Sequence, residues 1–411
     1  MLQTMRVLFI QPTSDRNGHY GLNTIKLCQA LGEVGHEVTL CTNKAYPEKY
    51  LSRPQSFKIV EIQNGNLNFE QYDRQANRYP LYYMYGHFST SFKVFRAGLQ
   101  LATEGAFDVI HATGIEFMMA ALLLKWYSSR IPPVVMEVYA ANFSFATYAG
   151  TIVHKAYKVL QREVFKTTLG KEIKGISVLG RWHEGHLRRQ LKLSDSTHVA
   201  VIPDGGEEPE HPIDGKVARN QIGIDRLARP IFLFFGTIRR DKGIECVLEA
   251  AGRLAGEQFS LLIAGNPQEY TAEEVRHLIE KFGVKDKVLA RLSYVPDHEI
   301  PYYFYACDAL VLPYRKFYTG GSGSLMKGAC MHQRPSIVFD VSEMGRLVKE
   351  YAIGLVARPE DSTHLAEKMR EFICLQDNER QEMANKALAL ARNHTWAKMA
   401  KAYTDLYRKV G

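Results

Sequence analysis

The amino-acid sequence predicts an α/β protein made of two doubly wound, Rossmann-like domains. Three observations predict it. The chain has 411 residues, more than one hydrophobic core ordinarily organises, so two domains are expected. Short apolar runs rich in β-branched residues alternate with stretches of helical periodicity, the mark of parallel strands joined by crossover helices. The alternation stops once, at 201–212, where "VIPDGGEEPEHP" carries three prolines and a Gly-Gly, and then begins again.

In the first series, "RVLFI" (6–10) reads as a buried parallel strand. A polar loop with Asp15, Asn17 and Gly18 follows. "LNTIKLCQALGEVG" then places Leu22, Ile25, Leu27, Ala30 and Leu31 roughly on one helical face, and Gly35 ends the helix. "HEVTLCT" is the next strand, which completes a βαβ unit. "KIVEI", "FDVIHATG", "PPVVMEV" and "GISVLG" continue the strand pattern, and "STSFKVFRAGLQLA" is the helix leading into "FDVIH".

The second series runs "PIFLFFG" strand, "IECVLEAAGRLAG" helix, "FSLLIAG" strand, "TAEEVRHLIEKFG" helix, "KVLARLSYV" strand, "IPYYFYAC" helix, "ALVLPY" strand, then "PSIVFDV" and "GLVARPED". Two helices are expected to close the chain, the last being "TWAKMAKAYTDLYRKVG". Open parallel sheets bind ligands at the carboxyl edges of their strands, so two such sheets are expected to share a cleft.

Hydrophobic residues make up 46% of the chain and charged residues 23%, which places it among globular proteins and not among disordered ones. The net charge of +8 suits an anionic ligand, a nucleic acid or an anionic membrane surface without choosing among them. No nucleic-acid module is present, so no nucleic-acid partner is expected. The six cysteines are scattered, with no CxxC pair and no His cluster. They read as reduced core thiols of a cytosolic protein, and no metal site is expected. The apolar run near the N-terminus is too short for a signal peptide or a span, and no later segment has span length. A cytoplasmic location follows as the expectation, with peripheral membrane contact left open.

Three loops carry the chemistry. "FLFFGTIRRDKGIECVLEAA" (232–251) turns at Gly236 and puts Arg239, Arg240 and Lys242 between a strand and a helix. Cations at a strand's carboxyl edge suit a phosphate, Arg as a donor fork and Lys as a point charge; a solvated basic loop is the plain alternative. "YTGGSGSLMKGACMHQRP" (318–335) offers Gly321, Ser322, Gly323 and Ser324 as the start of a helix, whose free N–H groups favour a diphosphate; an N-capped turn is the alternative. "DRNGHYG" (15–21) is a polar loop after the first strand, either a structural turn or a substrate loop with Asn17, Gly18, His19 and Tyr20. The chain has no GxxxxGK[ST], GxGxxG, HExxH, GxSxG or kinase signature, so the common nucleotide and hydrolase motifs are excluded.

The ordered set of motifs resembles the large retaining glycosyltransferase family four, of the GT-B fold, over nearly the whole chain. "RVLFI…GHYGLNTIKLCQALGEVGHEVTLCT", "FDVIHATG", "ISVLG" and "VIPDGGEE" are similar to the family's first domain and linker. "FGTIRRDKGIECVLEAAGRL", "LLIAGNP", "LSYVPDHEIPYYFYACDALVLPY" and "GLVARPED" follow the second domain's usual order. The resemblance implies an acceptor-binding domain at 1–205, a nucleotide-sugar donor domain at 206–392, and a C-terminal helix from about 393 to 411 that packs back on the first domain. It implies a UDP- or GDP-sugar as cosubstrate, no further cofactor and no metal. Lys242 would bind the donor phosphates. Thr237 stands where the family has an Arg, so Arg239 or Arg240 is the expected substitute. Gly236 and Gly265 would line the donor site, and Tyr294 and Val295 would lie near the base. His111 joins the acceptor loop residues.

Two departures stand out. The family usually carries two glutamates eight positions apart ahead of its "G.PVV" strand, and here those positions hold Gly320 and Gly328. The family's His near the reacting carbon corresponds to Tyr139, with Glu137 close by. The catalytic candidates are therefore Lys242, Arg239, Tyr139 and Glu137. The expected activity is sugar transfer from a nucleoside diphosphate to a hydroxyl acceptor (a glycan, a lipid-linked glycan or a small molecule) with retention. A catalytically inactive nucleotide-sugar-binding protein and a nucleotide-sugar epimerase of the same fold are the alternatives. Two further segments stay open. "RYPLYYMYGHF" (78–88) reads as core packing, acceptor contact or membrane contact. The basic segment 154–175 reads as a solvated amphipathic helix or one that lies on anionic lipid.

Overall fold

Leu8 and Ile10 pack into one core of the first sheet, Val7 and Phe9 into another, because successive side chains of a strand point to opposite faces. The structure, a computed structural model, describes residues 4–12, 19–43, 55–62, 80–114, 116–139, 152–194, 197–207 and 211–411. It divides into two units, Met1–Gly205 with His394–Gly411, and Gly206–Asn393.

The first unit holds seven parallel strands: β1 (Arg6–Gln11), β2 (Glu37–Asn43), β3 (Phe57–Ile62), β4 (Val109–Ala112), β5 (Val134–Glu137), β6 (Ile173–Val178) and β7 (His198–Val201). Their order is β3-β2-β1-β4-β5-β6-β7. Helices α1 (His19–Glu33), α2 (Pro80–Glu104), α3 (Phe117–Tyr127), α4 (Ile152–Lys166) and α5 (Arg181–Leu191) connect them. Right-handed crossovers put α1 on one face and the helices from α2 onward on the other. Glu116 starts α3 by accepting from the backbone N–H groups of Met118 (3.1 Å) and Met119 (2.7 Å). β7 is absent from the sequence expectation. It is a four-residue strand directly ahead of the Pro-Gly segment, and its end residues read as part of that linker.

The C-terminal helix (Trp396–Val410) covers the α1 face of this sheet. Thr395 caps it, and Met399, Ala400, Tyr403, Leu406 and Tyr407 form its buried stripe. Contact with the sheet is close. A Cβ on Gly175 of β6 would stand 2.9 Å from Val410 Cγ1.

The second unit holds six parallel strands: β8 (Ile231–Phe235), β9 (Ser260–Ala264), β10 (Val288–Arg291), β11 (Ala309–Leu312), β12 (Ser336–Phe339) and β13 (Gly354–Ala357), in the order β10-β9-β8-β11-β12-β13. Its helices are α6 (Gly215–Gln221), α7 (Ile244–Arg253), α8 (Ala272–Lys281), α9 (Ile300–Ala306), α10 (Ser342–Tyr351), α11 (Ser362–Cys374) and α12 (Asp377–Ala391). The sequence led us to expect two closing helices, but three follow β13. Gln376 and Glu379 form a capping box that starts α12 only two residues after α11 ends, so one continuous helical pattern is cut in two. Five cysteines are buried free thiols and Cys374 is exposed. Among the described residues no helix is long and apolar enough to cross a membrane.

Candidate functional site

The chain leaves β8 toward β9 and β10, then returns to β11 on the other side of β8. The strand order therefore reverses between β8 and β11. The loops following those two strands flank the switch point, where open α/β sheets place their ligands.

Several contacts lock the two loops together. The β8 loop ends in a single 3-10 turn (Arg240–Lys242) closed by Gly243 at φ 66°. Only glycine serves there. The φ is left-handed, and a Cβ would sit 2.1 Å from Pro313 O, just past β11. Arg315 N donates to Asp241 O at 2.9 Å, and the Arg315 guanidinium reaches Glu245 at 3.3 Å. Ser324 Oγ lies 3.5 Å from the Cβ position of Gly236 and donates to Phe235 O at 3.4 Å. Gly265, just past β9, brings its backbone against that of Gly236, since a Cβ there would be 1.9 Å from Gly236 O. Gly236, Lys242, Gly265, Ser322 and Ser324 thus belong to one cluster within the unit.

The three cations of the β8 loop differ in availability. Arg239 is committed to Asp241 through two bonds, Nε to Oδ1 at 3.1 Å and Nη2 to Oδ2 at 2.9 Å. Burial works against its charge, but the Asp241 carboxylate outweighs it and holds the guanidinium more firmly protonated than usual. Arg240 lies over the Tyr270 ring at 5.5 Å, while its backbone N–H donates to Glu269 at 2.7 Å. Lys242 has no carboxylate partner among the described residues. Its Nζ rests 3.7 Å from the centroid of Tyr314 and 4.9 Å from that of Tyr318.

Those two tyrosines escaped the sequence reading. Their signal was present, since "PYRKFY" directly follows β11 with tyrosines four apart. Both are buried, and their rings meet edge to face at 4.6 Å. Tyr318 Oη donates to Gly321 O, and Ser322 Oγ donates to Tyr314 Oη at 3.5 Å. The rings present their negative faces to Lys242 and orient it without cancelling its charge.

The Ser-Gly stretch opens a helix, but not an α-helix. Ser324–Cys330 is a π-helix, continued by backbone bonds five residues apart, Met331 N to Met326 O (3.2 Å) and Arg334 N to Ala329 O (2.8 Å). Ser322 caps it, its Oγ accepting from Leu325 N at 3.2 Å. Gly321 and Gly323 stay uncovered enough for a ligand to approach the backbone. Thr237 is exposed. Tyr294 and Val295 follow β10, two strands from β8; Tyr294 is 55% exposed with its hydroxyl on Asp297, and Val295 is buried.

Aromatic rings crowd both Gly320 and Gly328. A Cβ on Gly320 would stand 3.2 Å from Tyr318 Oη. A Cβ on Gly328 would meet Phe304 Cζ at 2.3 Å. Phe304 is fixed between Phe235 (4.9 Å) and His332 (5.2 Å, stacked). Burial pushes His332 down to about 4, so its neutral ring donates Nδ1–H to Gly328 O at 2.6 Å.

In the first unit, two residues expected at the site are found elsewhere. His111, expected beside the acceptor, and Glu137, a catalytic candidate, are both buried between the sheet and the C-terminal helix. His111 Nδ1 meets Tyr407 Oη at 2.6 Å, and its Nε2 is 3.7 Å from Glu137 Oε2. Tyr403 Oη donates to Glu137 Oε1 at 2.7 Å, with Ser177 Oγ 3.0 Å away. Burial favours a neutral carboxyl, yet the nearby His111 ring and the hydrogen bond from Tyr403 prevail and hold Glu137 below the ordinary carboxylate range. The physical reason for the correction is tertiary. The chain's last helix covers the strand ends that local sequence would leave open. Tyr139, just past β5, is half-buried. Asn17 and Gly18 lie outside the described residues, and so do most side chains of 78–88, whose residues from Pro80 open α2. His19 and Tyr20 begin α1, and their side chains lie outside what is described.

Two parallel-sheet units, one with a cationic loop and a Gly-Ser helix start at its switch point, have the architecture of the GT-B fold. The family is group 1: residues 219–389 match "Glycosyl transferases group 1" and residues 23–205 match "Glycosyl transferase 4-like domain", so the chain belongs to that family and is a transferase enzyme. It is 29% identical to alpha-D-kanosaminyltransferase of Streptomyces kanamyceticus over 303 residues, 71% of this chain and 75% of that protein. Among solved structures it resembles sucrose-phosphate synthase from Thermosynechococcus elongatus (TM-score 0.74, 19% identity, 98% of each chain). It also resembles Anabaena HepE in complex with UDP and glucose (TM-score 0.70, 16% identity, 98% of this chain and 100% of that one).

Proposed function

We propose that the protein transfers a sugar from a nucleoside diphosphate sugar to a hydroxyl acceptor, with retention of configuration. The second unit holds the donor. One observation carries the reading. Lys242 is the cation of the β8 loop that no carboxylate among the described residues neutralises, and two buried rings hold it beside the Gly-Ser helix start at the switch point.

Departure of a nucleoside diphosphate builds negative charge on its β-phosphate. Lys242 and the backbone of 321–324 supply positive potential there, and fixed donors in a partly buried site stabilise growing charge well. Arg239 acts at one remove, its guanidinium bracing Asp241 and so the turn that presents Lys242. Retention without an enzymic nucleophile requires the acceptor hydroxyl on the leaving-group side, where the phosphate takes its proton. The reading assigns charge neutralisation to protein groups and needs no carboxylate at 320 or 328.

Lys242→Ala tests it. Turnover should fall about 10²–10³-fold, the usual effect of losing one fixed donor to developing charge. Thermal shifts against UDP- and GDP-sugars identify the donor, since a ligand that binds the folded state raises its Tm. Proton NMR of the product reads the anomeric outcome. A Lys242→Ala enzyme of near wild-type activity would refute the assignment. The filled space at Gly320 and Gly328 favours a second reading, a nucleotide-sugar-binding protein without turnover; donor stabilisation with neither transfer nor hydrolysis would select it.

A further inference from the structure

Ten large hydrophobic side chains are exposed among the described residues, and the six in the first unit all lie on three helices. Tyr85 is on α2, Leu122 and Trp126 on α3, and Ile152, Val153 and Leu160 on α4. Among the described side chains, α1, α5 and the C-terminal helix expose none. The three helices form one layer on a single face of the sheet, with α3 packed against both neighbours.

These side chains point outward by helical geometry. Leu122 and Trp126 are four apart, as are Ile152, Ala156 and Leu160, and every one of them is exposed. The opposite sides of the same helices are engaged. Phe117 packs on Phe165 at 4.9 Å, and Gln161 bonds Glu116. Trp126 is 75% exposed and Ile152 is 82% exposed, and apolar side chains grouped on one face mark an interaction surface where single ones do not.

The charge on the layer is one-sided. The three helices carry seven Lys and Arg against two Glu, a net of five out of the whole chain's eight. Lys93, Arg96 and Lys125 are exposed; Lys155, Arg162 and Lys166 are half-buried beside the apolar stripe. Long cationic side chains in that position bury their stems and lift their charges to a surface.

We propose that the outer face of α2–α4 is a docking surface for an anionic lipid bilayer. Apolar stripes enter the interface, Trp126 anchors at headgroup depth, and the cations meet anionic headgroups. A second copy of this chain is a poorer occupant, because a two-fold contact would set two strongly positive faces against each other. The inference does not depend on the donor reading.

Co-sedimentation with vesicles tests it, comparing phosphatidylcholine alone with phosphatidylcholine containing roughly a third phosphatidylglycerol, enough to give the negative surface potential such faces respond to. The full chain should bind the anionic vesicles at least about tenfold more tightly, and raised salt should weaken binding. Trp126→Glu with Ile152→Glu should lower binding at least about tenfold with an unchanged Tm, since both side chains are exposed. No binding to anionic vesicles, equal binding to both compositions, or undiminished binding by the double variant would each overturn the proposal. So would light scattering that shows a dimer broken by the double variant.

Discussion

Tyr403→Phe isolates the buried network beneath the C-terminal helix. The substitution keeps the ring and removes one oxygen. In the native protein that oxygen donates to Glu137 Oε1 at 2.7 Å and lies 3.0 Å from Ser177 Oγ. Its loss leaves an ionised carboxylate, 3% exposed, one donor short. A hydrogen bond to a charged group contributes about 1.5–3 kcal/mol, and stranding a buried partner lies at the upper part of that range. About 2.5 kcal/mol should be lost. For a unit of this size that corresponds to a Tm lower by roughly 5–10 °C. Donor KM should not change, because the network lies within the first unit and the proposed donor site within the second.

The same network sets a pH dependence. Glu137 has a depressed pKa in the folded protein. Its contribution is therefore complete above the ordinary carboxylate value of about 4.3 and fades as pH falls through the lower folded value. Tyr403→Phe should accordingly narrow its stability gap to wild type at acid pH. Scanning calorimetry at neutral and acid pH, with steady-state kinetics at neutral pH, reads both effects. An unchanged Tm with a large loss of turnover would refute the reasoning and return Glu137 to the catalytic candidates.

Two further substitutions probe the site. Gly243→Ala forces a left-handed alanine and a Cβ 2.1 Å from Pro313 O. It should cost about 2–4 kcal/mol in strain and overpacking and raise donor KM at least tenfold by moving Lys242; chemical denaturation and kinetics check it. Gly328→Ala should cost about 1–3 kcal/mol against Phe304, and adding Phe304→Leu should recover part of that loss. Strict additivity in the urea midpoints would mean that the ring does not occupy that space.

Much of the fold is legible along the chain. Strands β1, β8, β9 and β11 are short, apolar and bounded by Gly, Pro or charge, so local pattern suffices to find them. The β8 loop is equally legible, because three cations between a strand and a helix stand out whatever they touch. β7 is not, since four residues beside a linker carry too little periodicity to separate strand from extended coil. The π-helix is hidden for a different reason. Ser-Leu-Met-Lys-Gly-Ala-Cys suits either hydrogen-bond pattern, and the residue its Gly328 lies against, Phe304, is distant in sequence.

The sequence by itself determined two parallel α/β sheets, a basic loop and a Gly-Ser helix start, because each rests on neighbours within a few residues. Only the tertiary structure decided which polar groups are free to act. Glu137 and His111 look catalytic along the chain, yet a helix about 270 to 300 residues away buries them. Lys242 looks like one cation among three, yet Asp241 takes Arg239, Tyr270 lies under Arg240, and two rings leave Lys242 its charge. Pairing and burial are properties of contacts between distant residues, and charge becomes chemistry only where those contacts leave it uncancelled.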